Sequence, residues 1–189
     1  SELIEKDSSN SDLWYLRGFC HFTQGYIPKA YSDLFHYAQL RPKDVEGIHL
    51  LAQTYHRLDS FERAATLYRS LISTANTPDQ SVSIQLRAAE SHHRAGRHTE
   101  ALNMLETARL HGIRLVEIEY HIGRYLMAVE GFTAAILHLR TAESIYEKNE
   151  HLDIGDIYIN LALAYRSTGQ EEKATKYAHK WQRYIRRNL

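Results

Sequence analysis

The stretch from Tyr158 to Ala174, YINLALAYRSTGQEEKA, states a rule that the rest of the chain repeats. It carries a stripe of apolar and small residues, Tyr158, Leu161, Ala162 and Tyr165, at the spacing of one helical face. A glycine follows at Gly169, and a second helical segment then opens its packed face with a small residue, Ala174. The same order recurs four times earlier in the chain. A period of about 34 residues is that of an array of helical hairpins, in which no hairpin buries its apolar face alone and neighbours must stack.

Placing a small residue at the twentieth position of each unit gives five units, 11–44, 45–78, 82–115, 116–149 and 155–188. In the first, Trp14 and Gly18 share a face, Gly25 marks the turn, Ala30 and Leu34 begin the second helix's packed face, and Pro42 closes the unit. The second offers Leu51, Ala52 and Tyr55, then Phe61, Ala64, Tyr68 and Leu71, with Asp59 where the turn glycine would stand. Ala88, Ala89, Gly96, Ala101, Leu105 and Ala108 fit the third, and Ile122, Gly123, Phe132, Ala135, Leu139 and Ala142 the fourth. Three extra residues around 76–81 precede the third unit. Five more, 150–154, are expected to lengthen the preceding helix or its loop. Residues 1–10 match the tail of a preceding second helix with its exit loop.

Composition supports an all-helical reading. Three prolines and nine glycines in 189 residues are few for a β-rich fold. A compact chain of this length removes roughly 70% of its unfolded surface from water, and an array somewhat less. Charge is balanced, 23 basic against 23 acidic residues, so binding to nucleic acid through a general basic excess is not signalled. The single cysteine, Cys20, excludes an internal disulfide and a cysteine-rich zinc site, and fits a reducing compartment such as the cytoplasm. No apolar run is long enough to span a membrane, and no leader opens the chain, which begins at Ser1 without Met.

The pattern resembles the tetratricopeptide repeat. That family places an aromatic, a leucine and a small residue in its first helix (helix A). A turn glycine, then a small, an aromatic and another small residue in its second (helix B), and a terminal proline follow. The resemblance covers 11–188. Its departures are local: Arg17 and Tyr37 replace the usual leucine and alanine, and His92 and Leu126 stand where helix A usually has tyrosine. The resemblance implies a right-handed α-α superhelix of antiparallel helix pairs, with a concave groove lined mainly by helix A. It places Cys20 at a small, buried position. It carries partner-binding roles to Tyr15, Phe19 and Phe22, to His49, Gln53, His56 and Arg57, to Leu86, Glu90, His93 and Arg94, and to Tyr120 and Arg124.

The first unit's lining is aromatic, which suits a peptide or helix with apolar anchors; packing on a preceding helix is the alternative. Acids near the start of helix A (Asp12, Glu46, Glu117, Asp156) and bases toward its end (Arg57, Arg94, Arg166) follow the order that the helix dipole favours, which is the simpler reading. The lysine and asparagine clamp by which some members hold acidic tails is not reproduced, so heat-shock-chaperone tail binding is not expected. Tyr177, Trp181, Tyr184 and Ile185 form a stripe that a following helix normally covers, an end-cap or dimer contact. The basic residues of that last segment, Lys173 to Arg187, read as a solvated face.

Twelve histidines include no HExxH and no zinc-type spacing; His92, His93 and His98 read as surface or packing residues. No GxSxG, Walker or dinucleotide motif is present, and Cys20 has no activating base. The sequence therefore predicts no enzyme, no cofactor and no metal. It predicts a scaffold or adaptor for another protein's peptide or helix, monomeric, dimeric or part of a longer chain. AAESHHRAGRHTEAL, Ala88 to Leu102, is similar in flavour to the tetratricopeptide chaperones of bacterial secretion. The alternative is the regulatory sensor domain of a larger transcription regulator or assembly.

Overall fold

The computed structural model describes residues 10–147 and 152–188. Among these, ten α-helices and one short 3-10 turn make up the regular structure, and no residue lies in a strand. The helices are α1 (Ser11–Thr23), α2 (Ile27–Leu40), α3 (Val45–Arg57), α4 (Phe61–Leu71), α5 (Pro78–Arg94), α6 (His98–Arg109), α7 (Leu115–Ala128), α8 (Phe132–Ile145), α9 (Ile154–Ser167) and α10 (Glu171–Asn188). The fold is all-α, built of antiparallel helix pairs. The chain divides between Arg97 and His98 into two compact units, the first holding α1–α5 and the second α6–α10.

One backbone device ends five of the helices. After α1, the Tyr26 N–H bonds the His21 carbonyl at 2.8 Å and the Gly25 N–H bonds that of Phe22 at 3.2 Å. The same two bonds recur at Ser60 to Tyr55 with Asp59 to His56, at Arg97 to His92 with Gly96 to His93, at Gly131 to Leu126 with Glu130 to Met127, and at Gln170 to Tyr165 with Gly169 to Arg166. This is the Schellman closure, which satisfies helix-end carbonyls and needs one residue in the left-handed region. Glycine fills that position at φ 79°, 75° and 71° (Gly25, Gly96, Gly169), but Asp59 (55°) and Glu130 (60°) fill it in the other two.

Most helices that do not follow these turns start differently from those that do, α7 after Arg114 being the exception without a side-chain cap. Helices α1, α3, α5 and α9 open on a side-chain cap from Asn10, Asp44, Thr77 and Asp153. Helices α2, α4 and α8, which emerge directly from the turn, have none.

Small residues sit where helices approach. Ala30, Ala52, Ala64, Ala89, Ala101 and Ala135 are wholly buried. A Cβ added at Gly18 would lie 2.8 Å from Leu34 Cγ, and one at Gly123 would lie 2.6 Å from Leu139 Cγ. Tyr68, Leu71 and Val82 fill the first unit, and Leu139, Ile157 and Leu161 the second.

Both departures in the first repeat are compensated locally. Arg17 grips the buried Asp33 of α2 through two bonds, Nε to Oδ2 at 2.9 Å and Nη2 to Oδ1 at 2.6 Å, and His21 Nδ1 lies 2.9 Å from the same carboxylate. The buried ring of Tyr37 occupies space that Gly47 of α3 leaves open.

One expectation is corrected and another narrowed. Cys20 is exposed, not buried. Its equivalents Thr54, Ala164, Tyr125 and Ser91 are all fully buried, Ser91 against His56 of the preceding α3. The extra residues before the third unit join α5: Thr77 caps Gln80 and Pro78 takes the first helical position, so they become an added first turn of the helix. Of the two options for 150–154, the described residues follow the loop and not the longer helix: α8 ends at Ile145, Leu152 and Asp153 lead into α9, and Ile154 opens it, while 148–151 lie outside the described residues. So does the predicted helix tail, 1–10, apart from its last residue, Asn10.

Candidate functional site

In the first unit, direct contacts tie the predicted partner-binding residues of α3 to α1 and to α5. Residues three and four apart share a helix face. On α1 this puts Tyr15, Phe19 and Phe22 together: Tyr15 and Phe19 stack with centroids 6.5 Å apart, and Tyr15 also meets Tyr37 at 5.2 Å. Phe19 is 46% exposed. Burial raises the Tyr15 hydroxyl's pKa, and Glu46 and Asp44 add to the rise, so it stays a neutral donor.

Arg57 connects α3 to α1. Its guanidinium lies 4.3 Å from the Phe22 ring centroid and donates to the Phe22 carbonyl at 3.3 Å. It therefore caps the end of α1 and fixes the ring beneath it. His56 connects α3 to α5. The Ser91 hydroxyl gives its hydrogen to the Arg87 carbonyl at 2.9 Å, which leaves its oxygen to accept from His56 Nδ1 at 3.1 Å. That geometry makes His56 Nδ1 the donor. Burial lowers the His56 pKa, with Arg94 and Arg87 adding to the fall and Glu90 and Asp59 opposing it. His49, against the Tyr68 ring at 5.8 Å, is lowered by burial and by Arg87.

The other members are placed as follows. Gln53, Glu90 and His93 are half-buried, and Leu86 is buried with 7% of its surface exposed. Arg94 lies 4.6 Å over Phe61 and 3.7 Å from the Asp59 carboxylate, so part of its charge is already answered. Tyr120 and Arg124 belong to the second unit. Tyr120 is buried, its hydroxyl pKa raised by burial, and Arg124 lies 5.7 Å from its ring.

The predicted end stripe is mixed. Tyr177 is buried within its own unit: it stacks on Tyr165 at 5.5 Å and donates to Glu143 Oε2 at 2.6 Å. Trp181, Tyr184 and Ile185 are half-buried, and the Tyr184 ring covers Gly155.

Sequence reading missed two buried carboxylates. Asp33 answers Arg17 and His21; Glu119 lies 2.7 Å from His138 Nδ1 and 3.4 Å from Arg109 Nη1. The signal for the first was Arg17 itself, a charge at a leucine position that needed a partner one helix away. Among the described residues, no group of three or more His, Cys, Asp or Glu side chains is gathered as a metal would require. No helix there is long and apolar enough to cross a membrane.

The tetratricopeptide repeat family matches three segments, residues 48–81, 82–107 and 155–180. A comparison with curated proteins finds no match. Among solved structures, the chain is similar to the crystal structure of MamA, at 18% identity over 92% of this chain and 91% of that one, with a TM-score of 0.75. It is similar to MamA 41-end from Desulfovibrio magneticus RS-1, at 15% identity over 93% and 95%, TM-score 0.77. It is also similar to the apo form of RapI, at 14% identity over 94% of this chain and 71% of that one, TM-score 0.82. At these identities the likeness is one of fold.

Proposed function

The chain is a tetratricopeptide repeat protein, and on that premise we propose that it is a non-enzymatic interaction module, its five repeats 11–44, 45–78, 82–115, 116–149 and 155–188 serving as recognition units. The partner is a peptide or helix of another protein, held against the face that α1, α3 and α5 carry in the first unit. The observation behind this reading is Phe19, a large aromatic 46% exposed on a helix whose neighbouring ring, Phe22, is fixed by Arg57. An exposed aromatic on a preorganised surface is the kind of anchor that dominates binding energy. Arg57 and, on α5, Arg94 add cations to this face, each over a ring.

The test compares the wild-type chain with a Phe19→Ala, Phe22→Ala, Arg57→Glu variant in a pull-down from lysate of the source organism, read by mass spectrometry. Circular dichroism checks that the variant is folded. A protein captured by the wild type and lost by the folded variant supports the reading, and an unchanged set of partners overturns it. A secretion-type chaperone and a regulatory module of a larger assembly are two narrower forms of this function, both cytoplasmic, and the identity of the captured partner separates them.

A further inference from the structure

The second unit carries a groove that the reading above does not use. It runs along α8 from Thr133 to Ser144 and is closed on its far side by Gln170 and Lys173 at the start of α10, with a volume of about 850 Å³. Eleven helical steps cover about 16 Å, so the groove is an open trough that suits an extended stretch of chain better than a small molecule, which is usually enclosed.

Its chemistry is uneven in a specific way. Ile136 and Leu137 supply apolar wall, and Leu137 is 66% exposed although its neighbour two residues on, Leu139, is completely buried. Tyr165, itself buried, also lines the trough. Two cations are organised around that one tyrosine: Lys173 Nζ lies 5.4 Å from its ring centroid, and Arg140 hydrogen-bonds its hydroxyl. Among the described residues no carboxylate lines the trough. Glu143, the acid that acts on Arg140, is engaged by the Tyr177 hydroxyl and by Lys180, both at 2.6 Å. An apolar strip flanked by two cations with no acid of its own matches a segment that carries apolar side chains beside carboxylates.

We propose that the α8–α10 trough is a second docking surface, which takes an acidic, leucine-type peptide segment of a partner protein with its apolar side chains on Ile136 and Leu137 and its carboxylates on Arg140 and Lys173. The surface is independent of Phe19, Phe22 and Arg57.

The test selects a displayed random-peptide library on the full-length chain and then assays the enriched peptides on variants. The expected result is a class of peptides combining aspartate or glutamate with leucine or isoleucine. Its binding falls by about tenfold or more in Arg140→Glu/Lys173→Glu and in Leu137→Ser, and is unchanged in Phe19→Ala/Arg57→Glu. All five substituted residues are exposed, so the variants keep the fold, and matching thermal melts check this. The proposal is overturned if no enriched class depends on Leu137 and Arg140, or if the class that does so lacks acidic residues. If every enriched peptide is lost only in Phe19→Ala/Arg57→Glu, the α1–α3–α5 surface is supported and this one is overturned.

Discussion

Tyr37 and Gly47 are fitted to each other across the α2–α3 junction: a Cβ on Gly47 would overlap the Tyr37 ring, while the Tyr37 hydroxyl bonds the Asp44 carboxylate, whose Oδ2 caps α3 by accepting from Gly47 N at 2.6 Å. Burial and that bond push the Tyr37 hydroxyl up to about 12. Gly47→Ala should therefore destabilise by about 2 kcal/mol, against the roughly 1 kcal/mol by which alanine ordinarily improves a helix. Urea denaturation of Gly47→Ala, Tyr37→Leu and the double variant checks this. The double should lie about 1 kcal/mol or more above the sum of the singles, and strict additivity would refute the fit.

The two left-handed residues that are not glycine make an opposite prediction. Glu130→Gly should stabilise by about 1 kcal/mol, because it relieves a φ of 60° that a side chain opposes. Asp59→Gly should gain less, since aspartate tolerates this region better and here also pairs with Arg94 at 3.7 Å. Thermal melts of the two variants rank them; a larger gain at Asp59 would contradict the account.

Arg17 and Asp33 should behave as one unit. Asp33→Leu leaves Arg17 and His21 facing an apolar group and should cost about 2 kcal/mol, moderated because Arg17 is partly exposed. Arg17→Leu/Asp33→Leu restores the apolar pattern of the other repeats and should recover most of that loss. A double variant no more stable than Asp33→Leu in urea would count against the pairing.

Acid should loosen the first unit through its histidines. His49 and His56 have folded pKa values below the unfolded value, chiefly from burial, so below pH about 6.5 the unfolded chain binds more protons. Their contribution is whole above that pH and is lost as pH falls toward their folded values. Urea midpoints at pH 7.5 and 5 should show the drop in the wild type and a smaller one in His49→Gln/His56→Gln; equal drops would assign the effect to other groups.

The alanine register can be tested bluntly. Ala64 and Ala135 are wholly buried, so Ala64→Asp or Ala135→Asp places an unpaired carboxylate in a packed helix junction and should cost about 3 kcal/mol or more. An unchanged melt for either variant would be incompatible with this packing.

Helix content, pairing and the small-residue contacts were legible because they follow from periodicity: Ala30, Ala64 and Ala135 announce themselves by spacing alone. Asp59 at a turn was legible for the same reason. What spacing could not show was compensation between helices. Arg17 at a leucine position signals that a partner is needed, but spacing does not single out Asp33 as that partner, and nothing around Tyr37 points to Gly47, since each partner lies across a turn at a distance fixed only by packing. The interaction face was legible in its members but not in their exposure. Leu86, Tyr120 and Tyr177 occupy suitable positions yet are buried, because exposure depends on the neighbouring side chains and not on register.

The five helix-ending turns are held by main-chain bonds and one left-handed residue, and they ask almost nothing of the side chains near them. Such a joint is blind to sequence. A hairpin gripped by an arginine and an aspartate and a hairpin filled with alanine and leucine leave the turn in the same way, so the contents of the helices can diverge while the chain's punctuation stays constant. This separation lets one chain accumulate an aromatic, ring-stacked face in its first half and an open cationic trough in its second without inventing a new connection for either.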